Sequence, residues 1–224
     1  MDRFSLPRIL FFTEVYIKED PGNEARKRAK LFKGSQRDYG AKEAMSLSQR
    51  FRAGIIIKSY KKLNMHAKRV LDVGCGNGVV SQVLKDRLDF NLTGTDIIDY
   101  RKVKIPFKLM KNAAALPFGD FSFDLVMFND VLHHTKDIEP LLIEGARVAK
   151  YMLIFEDKEG PLLRFVDLAL NHFYSSKMPC PFNFKTLKEW CLLFDKLGFA
   201  YSIEEVSGPF LYPFRHMAFM LRKN

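Results

Sequence analysis

The chain has little cysteine, three residues in 224 (Cys75, Cys180 and Cys191), and a single tryptophan. Three scattered thiols make neither a disulfide framework nor a zinc-ligand spacing, so a reducing, cytoplasmic setting and no metal site are expected. No uninterrupted apolar run approaches the ~18 residues of a membrane span. Near the start only Ile9–Phe12 is apolar, shorter than the ~7–15 residues of a secretory core. Internal repeats and low-complexity tracts are missing. The residues that are present, 47% hydrophobic and 28% charged, exclude bulk disorder. The length suits one domain, or one domain with a small appendage, and can bury a core without staples.

Acidic charge is scarce in one region only. Residues 1–69 hold 17 Lys/Arg against 7 Asp/Glu, whereas residues 70–224 hold 19 of each, so the N-terminal third carries the whole net charge of +10. A basic arm of this kind suits an anionic substrate, a lipid surface or nucleic acid; a solvated helical face would look the same.

The same boundary separates two textures. Residues 18–42 are polar and loop-like, with a turn at Pro21-Gly22-Asn23. A helix is expected over Lys42–Leu63, with Leu47, Phe51, Ile55 and Tyr60 near one face and Arg50, Arg52, Lys58 and Lys61 directed elsewhere. From Arg69 onward strands and helices alternate. Strands are expected at Val70–Val73, Asn91–Thr95, Ile105–Met110, Phe123–Phe128, Tyr151–Phe155, Tyr201–Val206 and His216–Leu221. Helices are expected at Val79–Leu88, Asp137–Ala149, Pro161–Tyr174 and Thr186–Leu197. Thr186 and Glu189 form a capping box for the last of these, and Gly198 stops it. Phe123–Phe128 is almost wholly apolar, as a strand covered on both faces should be. The expected fold is α/β: a doubly wound, mainly parallel seven-stranded sheet with helices on both faces, plus an N-terminal helical extension. Residues 1–68 read as that basic extension or lid, and residues 69–224 as the ligand-binding domain.

The informative segment is Val70-Leu71-Asp72-Val73-Gly74-Cys75-Gly76-Asn77-Gly78. It places three glycines at alternate positions between a strand and a helix. Such a turn visits backbone angles a side chain forbids. It also lets a ligand approach the main chain, and a helix N-terminus behind it offers free N–H groups. A dinucleotide-binding loop would need Gly-x-Gly-x-x-Gly; counted from Gly74, its last position is Val79, so that pattern fails. After the second strand comes Thr93-Gly94-Thr95-Asp96-Ile97, with Asp96 placed 18 residues beyond Gly78. An acid there can accept hydrogen bonds from both hydroxyls of a ribose. Then follow Lys111-Asn112-Ala113-Ala114-Ala115-Leu116-Pro117-Phe118, Ser122-Phe123-Asp124-Leu125-Val126 and Asn129-Asp130-Val131-Leu132-His133-His134.

These blocks, in this order over about 65 residues, resemble the class I S-adenosylmethionine-dependent methyltransferases. The likeness is to their small-molecule group, type 11 or quinone-methyltransferase-like. It covers residues 69–157 well and the tail more weakly. It implies an S-adenosylmethionine-dependent enzyme that methylates a small, hydrophobic or anionic acceptor. In cofactor binding it implies that Gly74, Cys75, Gly76 and Gly78 supply the loop, the Cys75 side chain being small filler facing the helix. Asp72 would steer the cofactor ammonium, where a loop-bracing role is the alternative. Asp96 would hold the ribose and Ile97 cover one adenine face. Asn112 and the Ala113 N–H would address the adenine edge, and Asn129 would hold the ammonium through its backbone carbonyl. Asn112 departs from the family's usual Asp, which removes a charge there. Asp124, inside an apolar strand, reads as a structural brace.

His133 and His134 stand at the C-terminal edge of the sheet and are the first candidates for a general base; Asp130, His172 and Tyr174 are secondary ones. Pro161–Tyr174 and Pro179–Phe184, rich in Leu, Phe and Tyr, could cover the acceptor. Two other readings stay open. One is an RNA or protein methyltransferase using the basic N-terminal region, although Asn/Asp-Pro-Pro-Tyr/Phe is missing after the fourth strand. The other is a cofactor-binding protein without turnover.

Overall fold

The computed structural model describes residues 46–64, 66–99, 101–158, 183–207 and 215–223. The expected loop at 18–42, the expected helix Pro161–Tyr174, His172 and Tyr174 lie outside the described residues. Helix α1 (Leu47–Lys62) starts at a capping box: Ser46 accepts from the Gln49 N–H, and the Gln49 side chain accepts from the Ser46 N–H. The remaining elements are β1 (Arg69–Val73), α2 (Val79–Leu88), β2 (Asn91–Asp96), β3 (Phe107–Leu109) and β4 (Phe123–Asn129), then α3 (Ile138–Val148), β5 (Ala149–Asp157), α4 (Leu187–Lys196), β6 (Phe199–Ser207) and β7 (Arg215–Lys223).

The seven strands form one sheet in the order β3-β2-β1-β4-β5-β7-β6. Strands β1 to β5 are parallel; β7 runs antiparallel to both β5 and β6. The sheet is therefore mixed, where the sequence pattern suggested only a mainly parallel one. The physical reason is the short connection: seven residues between Ser207 and Arg215 cannot make the crossover of a dozen or more that a parallel pair requires. Strand β3 is also shorter than expected. Pro106 has no N–H for the ladder, and its carbonyl instead accepts from the Gly94 N–H at 2.8 Å.

Alternate residues of the central strands feed two cores. Val126 and Phe128 of β4 join Leu71, Met152, Ile154 and Phe219 under α3 and α4. Leu125 and Met127 join Val70, Leu153, Phe155 and Ala218 under α1 and α2. Helices thus cover both faces, which is why β4 is apolar at nearly every position. Each fully buried Leu or Phe contributes roughly 1.5–3 kcal/mol. Helix α1 shares the second core through Ile55, Ile56 and Tyr60. Its Arg52 does not point away, as the helical face suggested; it reaches a buried carboxylate, Asp130, at 2.8 Å. Asp124 braces the start of β1, accepting the Lys68 and Arg69 N–H groups at 3.1 and 2.8 Å and the Arg69 guanidinium at 2.8 Å.

The Thr186–Glu189 capping box forms as expected, and Gly198 ends α4 at φ 71°. Trp190 then packs on Phe194 and Phe219, with ring centroids 5.6 and 5.9 Å away. Replacing it removes the largest side chain that α4 buries. Trp190→Ala is expected to cost ~3–5 kcal/mol in chemical denaturation; an unchanged midpoint would show that α4 does not anchor this face.

Candidate active site

The bend between β1 and α2 is left-handed at all three glycines: φ is 71° at Gly74, 57° at Gly76 and 75° at Gly78. The Thr95 carbonyl ties the bend to β2, accepting the Gly74 N–H at 2.8 Å and the Cys75 N–H at 3.2 Å. A Cβ at Gly74 would run into the Val131 side chain, so alanine is excluded there by space as well as by φ. The Cys75 side chain faces β2 rather than the helix: a Cβ on Gly94 would stand 2.7 Å from its Sγ. Burial first, then the nearby carboxylates of Asp72 and Asp96, push the Cys75 thiol well above its ordinary pKa. That thiol is packing, not a nucleophile.

Asp96, at the tip of β2, closes the bend from the other side. Its Oδ2 accepts the Gly76 N–H at 3.0 Å and its Oδ1 the Ile97 N–H at 2.7 Å. Burial raises its pKa, and the N–H donors of Gly76, Ile97 and Ile98 oppose that rise. A carboxylate has about four lone-pair positions, so the backbone donors leave capacity for a further ligand group. Ile97 beside it is 43% exposed.

Asp72 is buried and has both oxygens engaged: Ser81 Oγ donates at 2.6 Å and Asn129 Nδ2 at 2.9 Å. Burial is the main cause that raises its pKa, to about 6. The Asn129 amide gives its N–H to Asp72, and its Oδ1 is buried with no hydrogen-bond partner among the described residues. An orphaned buried acceptor beside a carboxylate fits an ammonium group. Sequence reasoning points to the Asn129 backbone carbonyl; the orphaned atom is in the side chain. Ser81 escapes such reasoning, since on α2 it looks like one more small helical residue.

Asn112 and Ala113 are exposed and follow β3, whose Leu109 pairs with Asp96. The Asn112 Oδ1 accepts the Ala114 N–H at 2.9 Å, which fixes the side chain while leaving one lone pair. The structure thus brings Asp72, Gly74, Cys75, Gly76, Gly78, Asp96 and Asn129 around one bend, with Ile97 at its rim.

The ends of β4, β5 and β7 hold a second polar group of residues. His133 and His134 lie on a short 3-10 turn, Leu132–His134, and neither caps α3. His133 is 4% exposed, 2.6 Å from Glu156 through Nδ1, and stacked on Phe184 with centroids 4.7 Å apart. His134 is different: burial, then His133 and Arg52, push its pKa down to about 3. Asp130 sits at φ 51°, a strained angle for a non-glycine residue, with its N–H on the Phe155 carbonyl at 2.7 Å. Asp130, Asp157 and His216 place one donor atom each within 4.8 Å of one another. Arg52 pairs with Asp130, and His216 with Asp157 at 2.8 Å. Burial opposes charge on His216, but the Asp157 and Asp130 carboxylates outweigh it and raise its pKa. The cluster therefore sets two carboxylates against one guanidinium and one imidazole. Glu156, Asp157 and His216 carry no sequence signal of their own, because their partners are far away along the chain.

A sheet of this order, with a glycine cradle and an acid able to bind a diol at its carboxyl edge, defines an α/β domain that binds a nucleoside cofactor. Comparison with known proteins narrows the class. Residues 71–152 match the type 11 methyltransferase family, described as a methyltransferase domain. The chain is 27% identical over 173 residues to YcgJ, an uncharacterised methyltransferase of Bacillus subtilis (strain 168), covering 71% of this chain and 67% of that one. It is 36% identical over 89 residues to the demethylmenaquinone methyltransferase of Renibacterium salmoninarum, covering 37% of each. The fold is similar to that of 1,6-didemethyltoxoflavin-N1-methyltransferase of Burkholderia thailandensis, a structure with bound 1,6-didemethyltoxoflavin and S-adenosylhomocysteine. There the TM-score is 0.59 at 15% identity, covering 94% of this chain and 93% of that one. These matches support a class I S-adenosylmethionine-dependent methyltransferase of the type 11 group over residues 71–152. Its cofactor is S-adenosylmethionine, which the left-handed glycine cradle, the Asp96 carboxylate and the orphaned Asn129 Oδ1 all fit.

Asp72 generates a test with a definite sign. Its pKa is raised in the folded state, so its contribution to stability is full below the unfolded value and is lost as pH rises through about 6. Asp72→Asn keeps an acceptor for Asn129 and removes the buried charge. The variant is expected to melt at or above wild type at neutral pH, by roughly 1–3 kcal/mol in stability, with a flatter pH dependence on the acid side. Affinity for S-adenosylhomocysteine should fall in the same variant. A lower melting temperature at neutral pH would mean that the charge is not a cost to the fold.

Proposed function

We propose that the protein methylates a small organic molecule, bound over the carboxyl ends of β4 and β5. The observation that carries this reading is His133, stacked on the ring of Phe184 and two residues beyond Val131, whose side chain lies against Gly74 of the bend. The relatives support it: one is named for demethylmenaquinone and another was solved with a bound small heterocycle.

Bound S-adenosylmethionine supplies a methyl group already activated on a sulfonium, so the protein's task is alignment and exclusion of water. In this reading Asp96 accepts the ribose hydroxyls, Ile97 covers one adenine face, and Asn112 and the Ala113 N–H meet the adenine edge. The backbone at Gly74, Cys75, Gly76 and Gly78 lies against the aminocarboxypropyl arm. Asn129 Oδ1 receives the ammonium, held in that orientation by Asp72 through Nδ2. Of the two histidines, His133 takes the acceptor proton. With its pKa pushed down to about 3, His134 is too weak a base for neutral pH.

Calorimetry with S-adenosylhomocysteine tests the cofactor half. Asp96→Ala is expected to weaken binding at least ~10-fold, about 1.4 kcal/mol or more; unchanged affinity would refute the ribose assignment. The acceptor half is tested by transfer from methyl-tritiated S-adenosylmethionine into fractionated cell extract. Label is expected in the solvent-extractable small molecules. Label confined to RNA or to protein would replace this reading with one of those acceptors.

A further inference from the structure

We propose that Glu156 is the positioning residue of this site: it fixes His133 in the tautomer whose Nε2 accepts a proton, which places the acceptor among O–H and C–H acids. The inference rests on the reading that His133 is the base.

Glu156 stands at the end of β5 after Met152–Phe155, an apolar run, and is itself 2% exposed. A carboxylate buried in such a strand is costly unless it is well partnered. Its partners are on the turn that carries His133. Oε1 accepts the Val131 and Leu132 N–H groups at 3.0 and 2.7 Å, and Oε2 lies 2.6 Å from His133 Nδ1. A carboxylate is only an acceptor, so Nδ1 carries the proton, and in the neutral ring Nε2 is then the basic nitrogen. Rotation of the ring is blocked by Phe184, stacked at 14°, and by His134 at 4.0 Å. The Asn183 N–H holds the His133 carbonyl at 3.0 Å.

The charged groups around His133 come from several elements. Glu156 comes from β5, and Asp130, already paired with Arg52 of α1, comes from the end of β4. His134 adjoins it on the turn. Asp157, the next residue of β5, engages His216 instead. Glu156 is the charged group in hydrogen-bond contact with His133 Nδ1. The proton step balances simply: the acceptor's O–H or C–H bond breaks, its proton goes to Nε2, and its electron pair stays on the atom that becomes the nucleophile. A neutral amine attacks with a lone pair it already has, and a thiol ionises readily near neutral pH; neither needs this arrangement.

The test uses full-length protein labelled with ¹⁵N in histidine, as wild type, Glu156→Gln and His133→Asn. Near neutral pH the wild-type His133 signal should show a protonated Nδ1 and a bare Nε2. In Glu156→Gln the new side chain can still accept the two backbone N–H groups, but it presents an amide donor to Nδ1. The expected effects are a switch of tautomer and a lower titration midpoint for His133. The rate of methyl transfer into the small-molecule extract should fall ~10- to 100-fold, its acid limb moving to lower pH, with KM for S-adenosylmethionine unchanged. A wild-type ring protonated at Nε2 overturns the proposal even if the Glu156→Gln variant fails to fold. So does a folded Glu156→Gln variant with unchanged tautomer and pH profile, whatever its melting temperature. Wild-type transfer by His133→Asn would remove the base while leaving the Asp96 assignment standing.

Discussion

One carbonyl and one carboxylate at the end of β2 set the geometry on which the rest depends. Thr95 O holds the Gly74 and Cys75 N–H groups, and Asp96 Oδ2 holds that of Gly76. Three successive backbone donors are thereby bound to the neighbouring strand, which forces the chain through left-handed angles at alternate residues. Only glycine takes such a path without strain. The bend then delivers α2 in position, with Ser81 facing back onto Asp72. Asp96 thus shapes the loop through the backbone N–H groups it accepts.

Around this bend the protein tolerates several buried charges. Asp72, Asp96, Asp130, Glu156 and His216 are all buried, and a charge removed from water is costly unless it is paired. The pairing differs by place. At the carboxyl ends of β4 and β5 and the start of β7, Arg52 pairs with Asp130 and His216 with Asp157. Near the bend, the donors to Asp72 among the described residues are neutral, Ser81 and Asn129, and burial raises its pKa against their hydrogen bonds. An uncompensated buried carboxylate next to an orphaned amide oxygen is poor design for stability alone. It is what a site prepared for a cationic group requires.

The elements that could be read from the sequence share one property: their signals are local. The glycine spacing, the Thr186–Glu189 box, the apolar run of β4 and the acid at Asp96 each lie within a few neighbouring residues. The cluster at the far edge has no local signal. Glu156 meets His133 across 23 positions, and His216 meets Asp157 only because β7 inserts between β5 and β6. Arg52 shows a different failure. Helical periodicity assigns it to the outer face, but a long guanidinium can cross the rim of a helix when a buried carboxylate waits at 2.8 Å. Cys75 is assigned to the wrong neighbour for a similar reason, since a left-handed bend rotates its side chain from the helix onto Gly94.

The uneven charge of the chain has a partner within the same fold. Of the basic residues in α1, the turn after it and the start of β1, Arg52 pairs with Asp130, Lys62 with Glu204, Lys68 with Asp89 and Arg69 with Asp124. All four acids belong to the electrically neutral part, residues 70–224. Part of the asymmetry is therefore complementarity within one chain, not a surface reserved for a polyanion. The exposed pairs add little to stability. Arg52 is different, because its partner is buried, so it fastens α1 to the residue that follows Asn129. The Gln49 amide makes a second, longer contact with Asn77 Oδ1 in the glycine bend, at 3.5 Å. The N-terminal helix is in this way joined both to the glycine bend and to the turn after β4, and a change in its position would be felt by the two together.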